Sequence, residues 1–296
     1  MRYLSILSII LVAIFVSSCM GGPGQETNIG GIDMKFLENQ PTNLIREDAN
    51  FLVGVELTNN IPKYLDGSLC IYDTPANSFG GIQEPECTLL HLSPAEIVND
   101  QKYPDTQLIQ FPVSGNSYTY GNLAMGVSTT NINAKLTYDL KTISRAELCL
   151  KRDPSVNIDG CSASSVLAGN DILADFAPVG IEMIEYNIVP EGNNNRLYLD
   201  IHLKKAQEGE VISEDNGHKV NLDINLIGTP STFDCYPSST EGIELIDNSR
   251  VVRCDGSVSL GRQDFYYDSL AISLDYTYST TISTGAIPLK RKNEKI

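Results

Sequence analysis

The sequence has no tryptophan, only three histidines, and far fewer basic than acidic side chains. It counts 21 Lys and Arg against 37 Asp and Glu in 296 residues, a formal net charge of −16. Proteins that bind nucleic acids gain most of their affinity by neutralising phosphates with basic side chains, so this balance argues against that class of partner. The histidines, His91, His202 and His218, lie far apart, and no Cys-x-x-Cys or His-x-x-x-His pair is present, which argues against a zinc centre.

Motifs that carry catalysis are also missing. The sequence has no Gly-x-Ser-x-Gly elbow, no Gly-x-x-x-x-Gly-Lys-Ser/Thr loop and no His-Glu-x-x-His pair. His202 stands in an alternating segment on the face opposite its leucines, so we expect it to face solvent. We therefore predict no enzymatic activity, no catalytic residue and no metal ligand. A hydrolase built on a β-sandwich is the remote alternative.

The N-terminus has the features of an export signal. One arginine precedes a 13-residue apolar run (residues 4–16), which is shorter than a membrane span and has the length of a signal-peptide core. The run ends in Val-Ser-Ser-Cys19, which looks like the lipobox at which prokaryotic lipoproteins are cleaved and lipidated. We predict a signal peptide over residues 1–18, then a lipidated Cys19 and a flexible tether over residues 19–30. An ordinary signal peptide is the alternative.

Cleavage before Cys19 would leave 20 basic and 37 acidic side chains, a net charge of −17. Anionic lipid headgroups repel such a chain, so the membrane contact should be made by the lipid alone. The predicted location is the outer face of the cell membrane, the periplasm or the cell surface.

Six further cysteines are consistent with an exported chain. An even number of cysteines in such a protein indicates disulfides rather than free thiols. Several connectivities are open, but proximity in sequence favours three local bridges, each worth roughly 3 kcal/mol in the chain-entropy model. The favoured pairs are Cys70 with Cys87, Cys149 with Cys161, and Cys235 with Cys254.

An internal repeat divides the chain. LTYDLKTISRAELCLKR (residues 136–152) returns as LDYTYSTTISTGAIPLKR (residues 274–291), with eight identities and one inserted threonine. Gly31-Ile-Asp-Met likewise corresponds to Gly180-Ile-Glu-Met, and one cysteine pair follows in each copy. We infer a tandem duplication. The predicted domain 1 spans residues 31–152, the linker 153–177, domain 2 residues 178–291, and the tail 292–296.

The spacing of apolar residues predicts the fold of each copy. FLVGVEL (51–57), LYLDIHL (197–203) and VNLDINL (220–226) alternate apolar with other residues, which is typical of antiparallel strands with one buried face. The one helix start is Ser93-Pro-Ala-Glu, with a serine cap and a proline in the first turn. About seven strands in about 115 residues favour an all-β fold of two tandem immunoglobulin-like antiparallel β-sandwiches.

The run FLVGVELTNN (51–60), which follows Ile-Arg-Glu-Asp48, resembles the F-x-V-x-V-x-L-x-N opening of CARDB-type and related immunoglobulin-like modules. With its signal peptide and lipobox, the chain is similar to archaeal and bacterial cell-surface lipoproteins that carry tandem modules of this kind. The resemblance implies sandwich modules and brings no catalytic residues.

Tyrosine is the most abundant aromatic residue, with 14 copies. Paired tyrosines in loops or on strand faces form recognition surfaces for proteins or glycans. The predicted recognition residues are Tyr118, Tyr120, Tyr266 and Tyr267. Tyr138 and Tyr276 recur at one position of the repeat, so we expect them to be structural hydrogen-bonding residues instead.

Calcium is the one cofactor that the carboxylates suggest. Asp100 with Asp105, Asp171 with Asp175, and the segment 214–217 could supply oxygen ligands. None of these spacings matches a defined calcium loop, so a solvated acidic surface is the favoured interpretation and we predict no cofactor.

The leading function is therefore a lipid-anchored, exported, non-catalytic component of the cell surface that binds, adheres or supports the envelope. Its partners would be the membrane, through the lipid, and another envelope protein or a glycan. The alternative is an accessory lipoprotein that assembles or docks a pilus, secretion or S-layer component. An exposed sheet edge that accepts a partner strand would favour this alternative.

Overall fold

The structure is a computed structural model. It describes residues 31–75, 79–99, 101–123, 128–175, 177–192, 194–212, 219–237, 242–259 and 263–292. The predicted signal peptide, Cys19 and the tether lie outside the described residues, as do Asp100, the segment 214–217 and His218.

The described residues contain strands, the loops between them, a short 3₁₀ turn at Gly169–Asp171 and no α-helix. The first twelve strands are β1 Ile32–Phe36, β2 Ile45–Arg46, β3 Asn50–Phe51, β4 Val53–Asn59, β5 Leu65–Asp73, β6 Glu86–Leu92, β7 Glu96–Val98, β8 Gln101–Tyr103, β9 Asp105–Phe111, β10 Tyr118–Thr119, β11 Thr129–Thr130 and β12 Ile132–Lys151. The others are β13 Ser164–Ala168, β14 Ile172–Ala174, β15 Val179–Glu191, β16 Asn194–Lys205, β17 Glu210–Ile212, β18 Lys219–Leu226, β19 Phe233–Tyr236, β20 Ile243–Glu244, β21 Ser249–Val258, β22 Phe265–Ser283 and β23 Ile287–Lys290.

This architecture confirms the all-β class predicted from the alternating segments. Residues 51–57 fall in β3 and β4, residues 197–203 in β16, and residues 220–226 in β18. Their apolar positions are buried, with Val53 and Leu57 wholly inaccessible. Alternation predicts strands well here because each strand buries one face and leaves the other in solvent.

The predicted helix at Ser93 is wrong. The segment is extended and ends in β7, which pairs with β8 in a separate hairpin. Ala95 N–H donates to the Ile61 carbonyl at 2.9 Å, and the Asn59 amide donates to the Ser93 carbonyl at 2.6 Å. These long-range hydrogen bonds hold the backbone extended and override the local capping pattern.

Three antiparallel sheets contain most of the strands. Two of them have the orders β1-β4-β9 and β13-β15-β16-β21-β19. The largest has the path β20-β18-β22-β12-β5-β6, with β14 and β17 attached beside it. Buried apolar residues from these sheets form one hydrophobic cluster.

The two copies of the sequence repeat pair with each other at the centre of the largest sheet. β12 carries nearly all of the first copy, whereas β22 carries the first ten residues of the second copy (274–283) and β23 carries most of its end. β12 and β22 form 19 consecutive antiparallel residue pairs. Leu136 lies opposite Thr280, and Thr142 lies opposite Leu274. In the repeat, Leu136 corresponds to Leu274 and Thr142 corresponds to Thr280. Exchanging the two copies therefore gives the same residue pairs, as expected for two strands related by a two-fold axis.

The centre of this register is Asp139 opposite Thr277, where the Thr277 hydroxyl donates to the Asp139 carboxylate at 2.6 Å. Outward from it, the path runs β12-β5-β6 on one side and β22-β18-β20 on the other. The largest sheet therefore contains strands from both predicted domains. The segment 153–177, predicted as a linker, contributes β13 beside β15 and β14 beside β12.

Equivalent tyrosines tie the long strands to the first strand of each copy. The Tyr276 hydroxyl accepts from Val179 N–H at 3.1 Å and donates to the Val179 carbonyl at 3.3 Å, at the start of β15. Tyr138 hydrogen bonds to the backbone of Ile32, at the start of β1. Both rings are buried, so the structural role expected for this pair is confirmed.

Three disulfides join the pairs that proximity in sequence favours: Cys70–Cys87, Cys149–Cys161 and Cys235–Cys254. The first links β5 to β6 in the largest sheet, whereas the third links β19 to β21 in the five-stranded sheet. The cysteine pairs that follow in each copy therefore do not occupy equivalent places in the fold.

The second bridge joins β12 to the loop that precedes β13, as expected for a link between domain 1 and the connecting segment. Three disulfides indicate an oxidising compartment outside the cytoplasm. In the part of the chain that the structure describes, no helix has the length and apolar character to cross a membrane.

Candidate binding face

The outer face of the five-stranded sheet presents a straight line of side chains, one from each strand. Val166 of β13 lies opposite Glu185 of β15, which lies opposite Asp200 of β16. Asp200 lies opposite Arg253 of β21, and Arg253 lies opposite Tyr236 of β19. We call these five residues the outer row. All five are exposed or half-exposed, and Tyr236 retains 79% of its accessible surface.

A second line runs parallel to the outer row, two residues along each strand. It contains Ser164, Asn187, Tyr198, Asp255 and Asp234. Tyr198 is 44% exposed, so its ring stands on the face among polar neighbours.

The alternation within LYLDIHL places two of these residues, Tyr198 and Asp200, on the outer face. Leu197, Leu199 and Ile201 point into the core and are nearly inaccessible. The residues between them therefore point to the opposite face of the sheet. Tyr198 and Asp200 are the residues thus exposed, and His202 follows them on the same face.

Ion pairs across neighbouring strands arrange the charged groups of this face. Arg253 Nε lies 3.5 Å from Asp200 Oδ1, and His202 Nε2 lies 3.1 Å from Glu185 Oε1. Arg253 and Asp200 are well exposed, so their ion pair contributes about 0–1 kcal/mol to stability. His202 is less exposed, and its contact with Glu185 is an ion pair only when the imidazole is protonated. The main effect of both contacts is to orient donors and acceptors toward solvent.

Arg196 extends the charged array beside Tyr198. Its Nε donates to Asp255 Oδ2 at 2.6 Å, and this hydrogen bond raises the pKa of the guanidinium above its usual value. Arg196 therefore holds the Asp255 carboxylate in place.

The two lines border a shallow depression of about 720 Å³, lined by residues that include Tyr198, Asp200 and Arg253. Aromatic rings, an arginine and carboxylates on an open surface are typical of recognition sites for proteins or polar ligands. The described residues contain no group of three or more His, Cys, Asp or Glu side chains that could hold a metal ion.

Two of the predicted recognition tyrosines are held in the interior or at its border. Tyr120 is wholly inaccessible, stacks on Phe51 with ring centroids 5.3 Å apart, and donates its hydroxyl to Asp73 Oδ2 at 2.5 Å. Tyr118 is half-buried, and its hydroxyl bonds to Glu86. The expectation that Tyr120 offers a recognition surface is wrong, because its side chain is inaccessible and its hydroxyl is satisfied by the half-buried carboxylate of Asp73.

Burial also affects ionisation in this cluster. Removal from water raises the pKa of Asp73, although hydrogen bonds from Tyr120 and from the Ile82 N–H oppose the shift. Burial and the neighbouring carboxylates raise the pKa values of Tyr118 and Tyr120 above the usual range. This cluster is a structural network: Tyr118 of β10 bonds to Glu86 of β6, and Tyr120 bonds to Asp73 of β5 and to Thr130 of β11.

Tyr266 and Tyr267 lie at the start of β22, away from the outer row. Tyr266 is half-buried and contacts Asp268 at 3.4 Å. Tyr267 is 49% exposed, packs edge-on against Phe265, and donates to the Gly160 carbonyl at 2.9 Å. The structure thus leaves Tyr267 accessible but gives it a role in fixing the loop before β13.

The carboxylates considered for calcium have other partners or lie apart. Asp175 Oδ2 accepts from Lys63 Nζ at 2.5 Å and from Ile143 N–H at 2.9 Å. Asp171 is exposed in the 3₁₀ turn, and Asp105 stands at the start of β9. His91 is an exposed residue that contacts Asp66.

Sequence patterns did not predict the outer row because its five residues come from five separate segments of the chain. The signal that could have found part of it is the polar side of LYLDIHL, which carries Tyr198, Asp200 and His202. The pairing of that segment with β15 and β21 brings the other members beside them.

No protein-family model matches this chain, and no curated protein is significantly similar to it.

Proposed function

We propose that the protein is an exported, lipid-anchored, non-catalytic binding protein of the cell surface, and that it binds through the outer row together with the parallel line beside it, which carries Tyr198. The observation that carries this proposal is the alignment of two exposed aromatic rings with an arginine and carboxylates on one open sheet face. A partner or glycan could approach that face without any rearrangement of the strands.

The proposed architecture is a tandem pair of immunoglobulin-like sandwiches, each similar to CARDB-type modules. The corresponding segments Gly31–Met34 and Gly180–Met183 fall in β1 and at the start of β15. In each copy that strand pairs with the next long strand, β4 or β16, which pairs in turn with β9 or β21. The shared order supports a duplicated module, and the division into domains at residues 31–152 and 178–291 stays a prediction.

The proposed address is the outer surface of the cell membrane, with Cys19 lipidated and residues 19–30 as a tether. Three disulfides support an oxidising compartment. The net charge of −17 after cleavage supports attachment through lipid alone, because a surface of that charge is repelled by anionic headgroups.

Binding measurements on matched variants test this proposal. Tyr198→Ala and Arg253→Ala each remove a large exposed side chain from the face without disturbing the core. Tyr64→Ala is the control, since Tyr64 is an exposed tyrosine that does not line the depression. The probes are a glycan array and detergent-solubilised native envelope proteins.

We expect the first two variants to lose at least tenfold in affinity while the control binds like the wild type. A glycan signal without a protein partner would assign the face to sugar recognition, and the reverse result would assign it to a protein. Equal binding by Tyr198→Ala, Arg253→Ala and the wild type would refute the proposal.

A second candidate, an accessory protein that docks another envelope component, is favoured by the open sheet edges. β6 and β9 are seven residues long, and each has a hydrogen-bonded neighbour on one side only among the described residues. Such edges accept a strand from a partner. Cross-linking in native membranes through a photoreactive residue at position 89, on β6, would recover an envelope protein if docking occurs there, and nothing if it does not.

A further inference from the structure

The strand β9 forms one edge of the sheet β1-β4-β9. It extends from Asp105 to Phe111 and pairs with β4 over its whole length. No other strand of the described residues pairs with it. Its opposite side therefore presents backbone groups that need hydrogen-bond partners.

The hydrogen bonds of β4 show which backbone groups of β9 are free. Gly54 N–H donates to the Gln40 carbonyl at 3.1 Å, and the Gly54 carbonyl accepts from Leu37 N–H at 2.8 Å. Both partners lie on the β1 side of β4, so the Gly54 groups point away from β9. Gln110 lies opposite Gly54, and in such a pair the groups of both residues point outward.

Backbone direction alternates along a strand, so the outward groups of β9 belong to every second residue. They are the N–H and C=O groups of Thr106, Leu108 and Gln110. The side chains of the same three residues are exposed, and Leu108 at their centre is 62% exposed. These residues offer an approaching strand three N–H donors, three carbonyl acceptors and one apolar side chain.

β9 also lacks the features by which proteins protect sheet edges. Between Asp105 and Phe111 it has no charge, no proline and no glycine. Other edges are protected: β1 carries Asp33 and Lys35, and β20 is only two residues long. In the five-stranded sheet, β19 covers part of β21 and is fixed there by the bridge Cys235–Cys254. An unprotected edge of this length is expected to pair.

We propose that β9 pairs with β9 of a second copy of this chain, antiparallel about a two-fold axis at Leu108. This register sets Thr106 against Gln110 of the partner copy and Leu108 against its own equivalent. All outward groups then meet, which gives six backbone hydrogen bonds by the antiparallel pattern. Asp105 falls opposite Phe111, so no like charges face each other.

The occupant is a second copy because the strand is complementary to itself. Two exposed leucines cover each other at the centre, where directly opposite side chains are in contact. A two-fold contact also closes after two chains, whereas an unsymmetric contact would extend into a filament. The chain already contains one pairing of this kind, since β12 and β22 meet in a register symmetric about Asp139 and Thr277.

The dimer should be weak and dependent on salt. One pair of seven-residue strands is a small interface, which places the dissociation constant in the range of about 10–100 µM. Each copy carries a charge near −17, so long-range repulsion opposes association. Salt screens that repulsion, and dimerisation should therefore strengthen as ionic strength rises.

Sedimentation velocity on the exported protein tests the proposal, with Cys19→Ser present so that no lipid drives association. The wild-type surface should show a monomer–dimer equilibrium. Leu108→Lys should weaken the dimer at least tenfold, because it places two positive charges opposite each other. Leu89→Lys is the matched control, since Leu89 is an exposed leucine at the centre of the other seven-residue edge, β6.

Thr106→Pro provides a second variant that leaves the outer face of the monomer otherwise unchanged. It removes one outward N–H from each copy, and proline is tolerated at edge positions whose N–H faces away from the sheet. We expect a weaker dimer with an unchanged circular dichroism spectrum. A chain that stays monomeric at all salt concentrations, or a dimer lost in Leu89→Lys but kept in Leu108→Lys, would overturn the proposal.

Discussion

Substitution of Leu136 tests most clearly whether the sheet that contains strands of both repeats unfolds as one unit. The side chain is inaccessible to solvent, and it stands in β12 between Leu69 of β5 and Thr280 of β22. Because β12 and β22 pair over 19 residues, a lesion here should destabilise both repeats together. We predict one cooperative unfolding transition for the whole described structure, shifted as a unit by Leu136→Ala.

The magnitude follows from the burial of this side chain. Truncation of a fully buried leucine removes its transfer free energy and leaves a cavity, with a cost of about 2–5 kcal/mol. With a denaturant slope of about 3 kcal/mol per molar urea, a loss of about 3 kcal/mol moves the midpoint by about 1 M. Ile143→Ala on the same strand is the control, because Ile143 faces outward and is 37% exposed. Its cost should stay within about 0.5 kcal/mol.

Urea unfolding followed by circular dichroism and by hydrogen exchange of peptides from each repeat measures both quantities. Tyrosine emission supplies a third probe, since the chain has no tryptophan to mask it. A Leu136→Ala variant in which only residues 31–152 unfold at lower urea, while residues 178–291 unfold at the wild-type midpoint, would contradict this prediction.

Three further predictions concern the buried tyrosines and the anchor. Tyr276→Phe should lower the free energy of unfolding in urea by about 1–3 kcal/mol, and Tyr138→Phe by about 1 kcal/mol. Each variant loses a buried hydrogen bond to the first strand of its copy. A change below about 0.3 kcal/mol in both variants would contradict these roles. Burial raises the pKa of Tyr278 to about 12, and the unfolded value is about 10. The stabilisation is complete below pH 10 and is lost as the pH rises toward 12, so the unfolding free energy should fall over that window; a flat profile would exclude it. Mass spectrometry of the mature N-terminus should find lipid on Cys19, and an unmodified terminus at another residue would refute the anchor.

Local patterns predicted the strands because burial of one face leaves a period of two in the sequence. FLVGVEL and LYLDIHL show that period plainly, and both are strands. The partner of each strand depends on contacts between distant segments, which no local period contains. The repeat identified β12 and β22 as equivalent, but their mutual pairing became visible only in the structure.

Side-chain roles were harder to predict where polar groups have distant partners. From the sequence, Tyr120 is expected to be exposed, but its ring is buried and its hydroxyl donates a hydrogen bond to Asp73, 47 residues earlier. Ser93 looks like a helix cap until its carbonyl accepts from Asn59. The outer row depends on the register of five strands, so only its segment from β16 could be anticipated.

The most direct test of the binding face is hydroxyl-radical footprinting of the protein on its own cells and in purified form. Oxidation reports side-chain exposure, and Tyr198 and Tyr236 stand on the face while Tyr64 stands elsewhere with the same exposure as Tyr236. We predict that Tyr198 and Tyr236 are oxidised several-fold more slowly on the cell surface than in the purified protein, and that Tyr64 is unchanged. Equal oxidation of Tyr198 and Tyr236 in the two settings would contradict a bound ligand on this face.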